Sequence, residues 1–293
     1  MSLIYRACEK TAFILNRLPG GGLKGSMSDL LAGNGDIKLP GFMQRKIRTD
    51  LLLFEGHSVH IVRNNEGLSG KAVLFLPGGG GMARATRLHY DTARRIALET
   101  KAEVHIANYP LAPEYNVRDA LVWLERYYEV MLKSFSPSDM VFIGDSAGAN
   151  LELSLTARLD KEIRPAGLIV ISPACGLEYG KPRDIRLQME SYDPLLTVAM
   201  NDLIAENWAR NVPLTSPDIS PEYIDHKDFP ALHYFYGSHE IFYPHVKNYL
   251  KRLSEQDIRY TEHEEPMCHD WALCSFLPEG RKAIAVICDI IPR

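Results

Sequence analysis

The residues best equipped for chemistry gather around one serine. Ser146 lies in Gly144-Asp145-Ser146-Ala147-Gly148, directly after the apolar run Met140–Ile143 and directly before a helical stretch. A serine at the apex of a strand-to-helix turn is held exposed in a strained conformation, and glycines on both flanks let strand and helix approach closely. The amide of Ala147 then sits at a helix N-terminus, where it can donate to a developing oxyanion. Once a base takes its proton, such a hydroxyl can attack an acyl carbon and carry the acyl group covalently. A chance match in an ordinary turn is the competing reading, and the flanking strand and helix weigh against it.

A second feature lies upstream. Gly78-Gly79-Gly80-Gly81 leaves the apolar run Leu74-Phe75-Leu76-Pro77. Consecutive glycines cost backbone entropy and make sense where unobstructed amides must come close to a ligand, as in an oxyanion loop. A phosphate loop would need Gly-Lys-Ser/Thr at its end, and Gly81 is followed by Met82. A simple flexible turn is the bland alternative.

The base and its orienting acid should follow the serine in the order serine, acid, histidine. His269, in Glu265-Pro266-Met267-Cys268-His269-Asp270-Trp271, falls in a loop after the last predicted strand and before the final helix. Glu240 comes immediately after the predicted strand Ala231–Tyr236. Either residue alone would read as ordinary surface; their placement after successive strands favours function. Asp193, in Tyr192-Asp193-Pro194-Leu195, is a rival acid, but no strand precedes it and a turn role suits it better. His239, His245 and His263 could in principle join His269 on a metal, yet no helical His pair of the usual spacing supports this, so no metal is expected.

Elements that could position these groups are legible in the periodicity. Leu3 to Leu18 reads as a helix stopped by Gly20-Gly21-Gly22, and Lys46 to Ile61 as an antiparallel hairpin turning at Glu55-Gly56. Apolar runs then alternate with amphipathic stretches: Ala72–Leu76, 83–100, Val104–Ala107, Val117–Leu132, Met140–Ile143, Ala147–Leu159 and Leu168–Ile171. The alternation pauses from Cys175 to about Asp228, a segment rich in Pro, Tyr and Asp with a helix-like stretch at Thr197–Arg210, and resumes with Ala231–Tyr236, Tyr243–Leu253, Ile258–Thr261 and Leu277–Ile291. Strands separated by helices of this length imply a mostly parallel sheet covered on both faces.

Composition narrows the class. With 293 residues, 46% of them hydrophobic, the chain can bury a full core, and its formal charge of -4 without a basic run excludes a nucleic-acid footprint. The five cysteines are odd in number, scattered and without a C-x-x-C pair, which fits free thiols in a reducing, cytoplasmic setting. Neither a signal peptide nor a membrane span is expected.

Taken together, these residues resemble the hormone-sensitive-lipase-like branch of the α/β-hydrolases, which contains bacterial esterases, acetyl esterases and plant carboxylesterases. The likeness runs from Lys46 to about Ile290 and is carried by the glycine loop, Tyr109-Pro110-Leu111-Ala112-Pro113-Glu114, the Ser146 pentapeptide, and the pair Glu240 and His269. It implies the α/β-hydrolase fold, a mostly parallel central sheet with helices on both faces and a helical cap. It implies cap segments at 1–45 and 175–228 around a core of 46–174 and 229–293. It further implies a Ser146-His269-Glu240 triad, oxyanion amides from Gly79, Gly80 and Ala147, no cofactor, and a small-molecule ester of short to medium acyl length as substrate. Met189, Tyr192, Met200, Trp208 and Tyr223 are candidates to line the pocket. Two departures stand out: Pro77 replaces the histidine common at the head of the glycine loop, and Glu240 replaces the common aspartate. A non-catalytic binding protein on the same fold and an amidase or peptidase are the alternatives; a homodimer is left open.

Overall fold

The computed structural model describes residues 1–17, 41, 44–177 and 183–292. The expected glycine stop at 20–22, most of the chain up to residue 43, and 178–182 in the inserted segment lie outside the described residues. Eight strands form one sheet in the order β1-β2-β4-β3-β5-β6-β7-β8. They are β1 (Ile47–Phe54), β2 (His57–Asn64), β3 (Ala72–Leu76), β4 (Glu103–Ala107), β5 (Met140–Asp145), β6 (Gly167–Ile171), β7 (Ala231–Gly237) and β8 (Tyr260–Glu265). β1 and β2 form the antiparallel hairpin, β2 runs antiparallel to β4, and all remaining neighbours are parallel.

The eight α-helices among the described residues are α1 (Leu3–Arg17), α2 (Arg87–Thr100), α3 (Val117–Leu132), α4 (Ala147–Arg158), α5 (Arg183–Met189), α6 (Val198–Ala209), α7 (Tyr243–Glu255) and α8 (Pro278–Ile290). The central strands are apolar throughout because both of their faces are covered. One face packs Leu74, Phe142, Val170 and Tyr234 with residues of α3, α4 and α7. The other packs Phe75, Ile143, Ile169 and Phe235 with residues of α2 and α8. Each such fully buried side chain contributes about 1.5–3 kcal/mol relative to exposure.

Three elements differ from the sequence reading. β1 forms where expected, but its burial does not alternate: it is an edge strand, with Leu51 and Leu53 60% and 71% exposed. The last strand lies later than 258–261, at Tyr260–Glu265. It is the opposite edge, where charged side chains suffice and no apolar run marks it. α5 has no counterpart in the sequence reading, since its seven residues are too few for a helical period to stand out. Among the described residues no helix is long and apolar enough to cross a membrane, and the five cysteines are free.

Candidate active site

The site is assembled at the carboxyl ends of β3, β5 and β7. At the end of β5, Ser146 takes φ 52° and ψ -119°, a strained conformation for a non-glycine residue. A Cβ on Gly144 would strike the Gly148 carbonyl, and one on Gly148 would strike the Leu76 carbonyl, so side chains at these two positions would push strand and helix apart. The Ser146 amide donates to the Ile171 carbonyl at 2.9 Å, which anchors the turn to β6.

The glycine loop leaves β3 beside this turn. Gly79, Gly80 and Gly81 have φ of 102°, 66° and 68°. A Cβ on Gly80 would strike Ile204, and one on Gly81 would strike the Trp208 ring, both on α6. The loop is held without a histidine at its head. Tyr109 Oη donates to the Pro77 carbonyl at 2.6 Å, the Ala112 amide donates to the Gly81 carbonyl at 2.8 Å, and Met82 and Ala83 donate to the Gly79 carbonyl. The Tyr109–Glu114 turn therefore clamps both ends of the loop. Beneath it, the Asp145 carboxylate lies against Gly78 and pairs with His89 Nε2 at 3.0 Å. Burial alone would lower the His89 imidazole; the Asp145 carboxylate outweighs it and raises the group.

Glu240 follows β7 after one tight turn and is wholly buried. Its Oε1 accepts from the Gly237 amide at 3.0 Å, and its Oε2 pairs with His269 Nδ1 at 2.6 Å. The extra methylene of glutamate is taken up by this turn, so the carboxylate still meets the imidazole. Burial would lower His269, but Asp270 and Glu240 together push it well upward.

The expected groups converge on one cavity. Ser146, Gly79, Gly80, Ala147 and His269 share a cavity of about 180 Å3 with Leu177, Leu196, Met200, Ile204, Trp208 and Phe242. Ser146 Oγ and His269 Nε2 are not hydrogen-bonded; Nε2 faces Asp270 Oδ2 at 3.4 Å instead. Catalytic hydrogen bonds in ligand-free sites are often long and tighten only when substrate is bound.

Asp193 does not reach His269. Its Oδ1 accepts from the Leu195 and Leu196 amides at 2.8 and 2.9 Å, and its Oδ2 accepts from the Ile241 amide at 2.9 Å. It is a turn residue, as expected, but it also ties the inserted segment to the loop that carries Glu240. Burial pushes its carboxyl up to about 6 against the pull of His269. Of the inserted residues expected in the wall, Met200 and Trp208 are there. Tyr192 and Tyr223 are 59% and 44% exposed, the first on a surface turn and the second ending a short 3-10 helix, and Met189 lies outside the wall. α1 approaches from the side, with Glu9 Oε1 2.8 Å from His239 Nδ1.

Serine elbow, glycine loop and buried acid–imidazole pair on a doubly covered, mostly parallel sheet define an α/β-hydrolase. A family profile described as the alpha/beta hydrolase fold matches residues 73–273, and the chain belongs to that family. It is similar to an esterase of Acinetobacter venetianus, 26% identical over 223 residues that cover 74% of this chain and 73% of that protein. A carboxylesterase/phospholipase of Mycobacterium tuberculosis is 30% identical over 118 residues, which span 40% of this chain and 32% of that protein. Among solved structures, an esterase from the bacterial hormone-sensitive lipase family superposes with TM-score 0.81 at 22% identity, covering 99% of this chain and 98% of that one. An esterase/lipase from an uncultured bacterium gives TM-score 0.84 at 21% identity over the same shares. At these identities the superpositions speak for the fold.

Proposed function

We propose that this protein is a serine carboxylic-ester hydrolase acting on short- to medium-chain acyl esters. The observation that carries the reading is the buried Glu240–His269 pair, 2.6 Å apart, on a cavity that Ser146 also lines. Ser146 attacks the ester carbonyl while His269 Nε2 takes its proton, and Glu240 fixes the tautomer and supports the imidazolium. The amides of Gly79, Gly80 and Ala147 hold the oxyanion. His269 then protonates the departing alcohol, and water releases the acid from Ser146 by the same route.

The apolar wall of Leu177, Leu196, Met200, Ile204 and Trp208 suits an alkyl acyl chain. Its volume of about 180 Å3 is below the roughly 300–1,000 Å3 of drug-sized sites, which favours small acyl groups. The described part of 175–228 caps this cavity through Leu177, Leu196, Met200, Ile204 and Trp208. Relatives named as esterases support ester over amide chemistry.

The test pairs a fluorophosphonate probe with Ser146→Ala. The wild-type protein is labelled once and loses activity, whereas the variant stays unlabelled and loses about 10⁶ in turnover if the triad acts as a unit. A variant that hydrolyses aryl esters at the wild-type rate refutes the assignment, and a matched anilide cleaved faster than its ester makes the protein an amidase.

A further inference from the structure

The triad reading leaves the one carboxyl group that lines the pocket, Asp270, without a role, and the following inference rests on that reading. We propose that Asp270 is a positioning residue that occupies the Nε2 side of His269 and holds the proton there, so that the imidazole is released as a base only when that contact opens. Glu240 grips Nδ1, and Asp270 Oδ2 stands 3.4 Å from Nε2, the nitrogen that must face Ser146. The imidazole is thus bracketed by two carboxyl groups.

The position of Asp270 is built rather than incidental. It takes a left-handed φ of 55°, and its amide donates to Ser172 Oγ at 3.1 Å. Its carbonyl accepts from the Leu273 amide at 3.0 Å. The side chain is only 24% exposed, its Oδ1 has no hydrogen-bond partner among the described residues, and it lines the same cavity as Ser146. The charged and titratable groups facing this corner are Asp145 at the end of β5, His89 on α2, Glu240 after β7, Asp193 in the inserted segment, and Cys274 in its own loop. Acids outnumber imidazoles here. Burial pushes the Asp270 carboxyl up against the pull of His269, with Asp145 and Glu240 adding to the push, and Asp270 and Glu240 in turn push His269 up against its burial. A proton is thus held between Asp270 Oδ2 and His269 Nε2, and its loss to solvent past the partly exposed Asp270 makes Nε2 available.

Asp270→Asn and Asp270→Gly test this, because asparagine and glycine both tolerate the left-handed turn and keep its amide bond to Ser172. Histidine-selective NMR, with His269 assigned by its loss in His269→Gln, reads the His269 titration without any substrate. In both variants its midpoint should fall by about one pH unit or more, and the acid limb of kcat/KM for p-nitrophenyl butyrate should move down with it, a roughly tenfold gain on the limb. Midpoints within about 0.3 unit of wild type in the two folded variants overturn the proposal. Its failure is distinct from failure of the triad reading, which shows instead as activity surviving in Ser146→Ala.

Discussion

Replacing Glu240 by glutamine separates charge from shape at the acid. Oε1 accepts from the Gly237 amide at 3.0 Å and Oε2 meets His269 Nδ1 at 2.6 Å. In Glu240→Gln the amide oxygen must keep the Gly237 bond, because the reverse orientation sets an NH2 against an N–H. The NH2 then points at Nδ1, which becomes an acceptor and drives the imidazole proton to Nε2. That is the wrong tautomer for accepting the Ser146 proton. By analogy with the serine-protease acid, turnover should fall by about 10² to 10⁴, or roughly 3–5 kcal/mol of barrier. The melting temperature should hold, since a wholly buried charge is lost while both contacts are retained. Asp193→Asn provides the contrast. Its oxygen can keep the Leu195 and Leu196 bonds but not also the Ile241 bond, so about 1–3 kcal/mol of stability is lost and turnover should drop less than about tenfold. Both variants are measured for kcat on p-nitrophenyl butyrate beside a thermal melt. A Glu240→Gln protein within tenfold of wild type, or a folded Asp193→Asn protein that is the crippled one, refutes the assignment.

Acetyl to hexanoyl aryl esters should be hydrolysed faster than longer ones, since the cavity holds about 180 Å3; an emulsified long-chain triglyceride cleaved faster than a soluble butyrate ester contradicts the size argument. Glu152 on α4 is wholly buried, neither of its oxygens makes a well-formed hydrogen bond among the described residues, and burial followed by the nearby Asp145 raises its carboxyl well above the usual range against a smaller lowering from the Gly144 backbone. The folded state thus holds a proton that the unfolded chain has released, so its contribution to stability falls as pH rises above about 4.5. Glu152→Gln should remove that decline, which melts at pH 5 to 8 compare directly; an unchanged gap between variant and wild type across that range disproves it.

What could be read in advance followed from local sterics and burial. Strand Ala72–Leu76 and helix Val117–Leu132 were legible because their apolar residues face covered surfaces. The Ser146 turn was legible because only glycines fit at 144 and 148. Glu240 and His269 could be paired from the order of elements alone, although their contact depends on the depth of the turn at Gly237. β8 was misplaced because its Thr261-Glu262-His263-Glu264 run is polar and faces an open edge. Asp270 was passed over because a carboxylate next in sequence to a histidine has no fixed relation to the imidazole until a left-handed turn folds it onto Nε2. The double duty of Asp193 was hidden for a similar reason, since its partner Ile241 lies far along the chain.

The contact of Gly80 and Gly81 with Ile204 and Trp208 makes the glycine loop and α6 two halves of one mould. A chimera that imports α6 from a relative should keep the fold yet misshape the glycine loop, unless the donor's glycine loop travels with it. Reshaping the cavity through α6 is therefore not independent of the loop: a bulkier residue at 204 presses on Gly80 and a smaller one at 208 removes the ring packed against Gly81, whereas Leu177 and Leu196 line the cavity from outside α6.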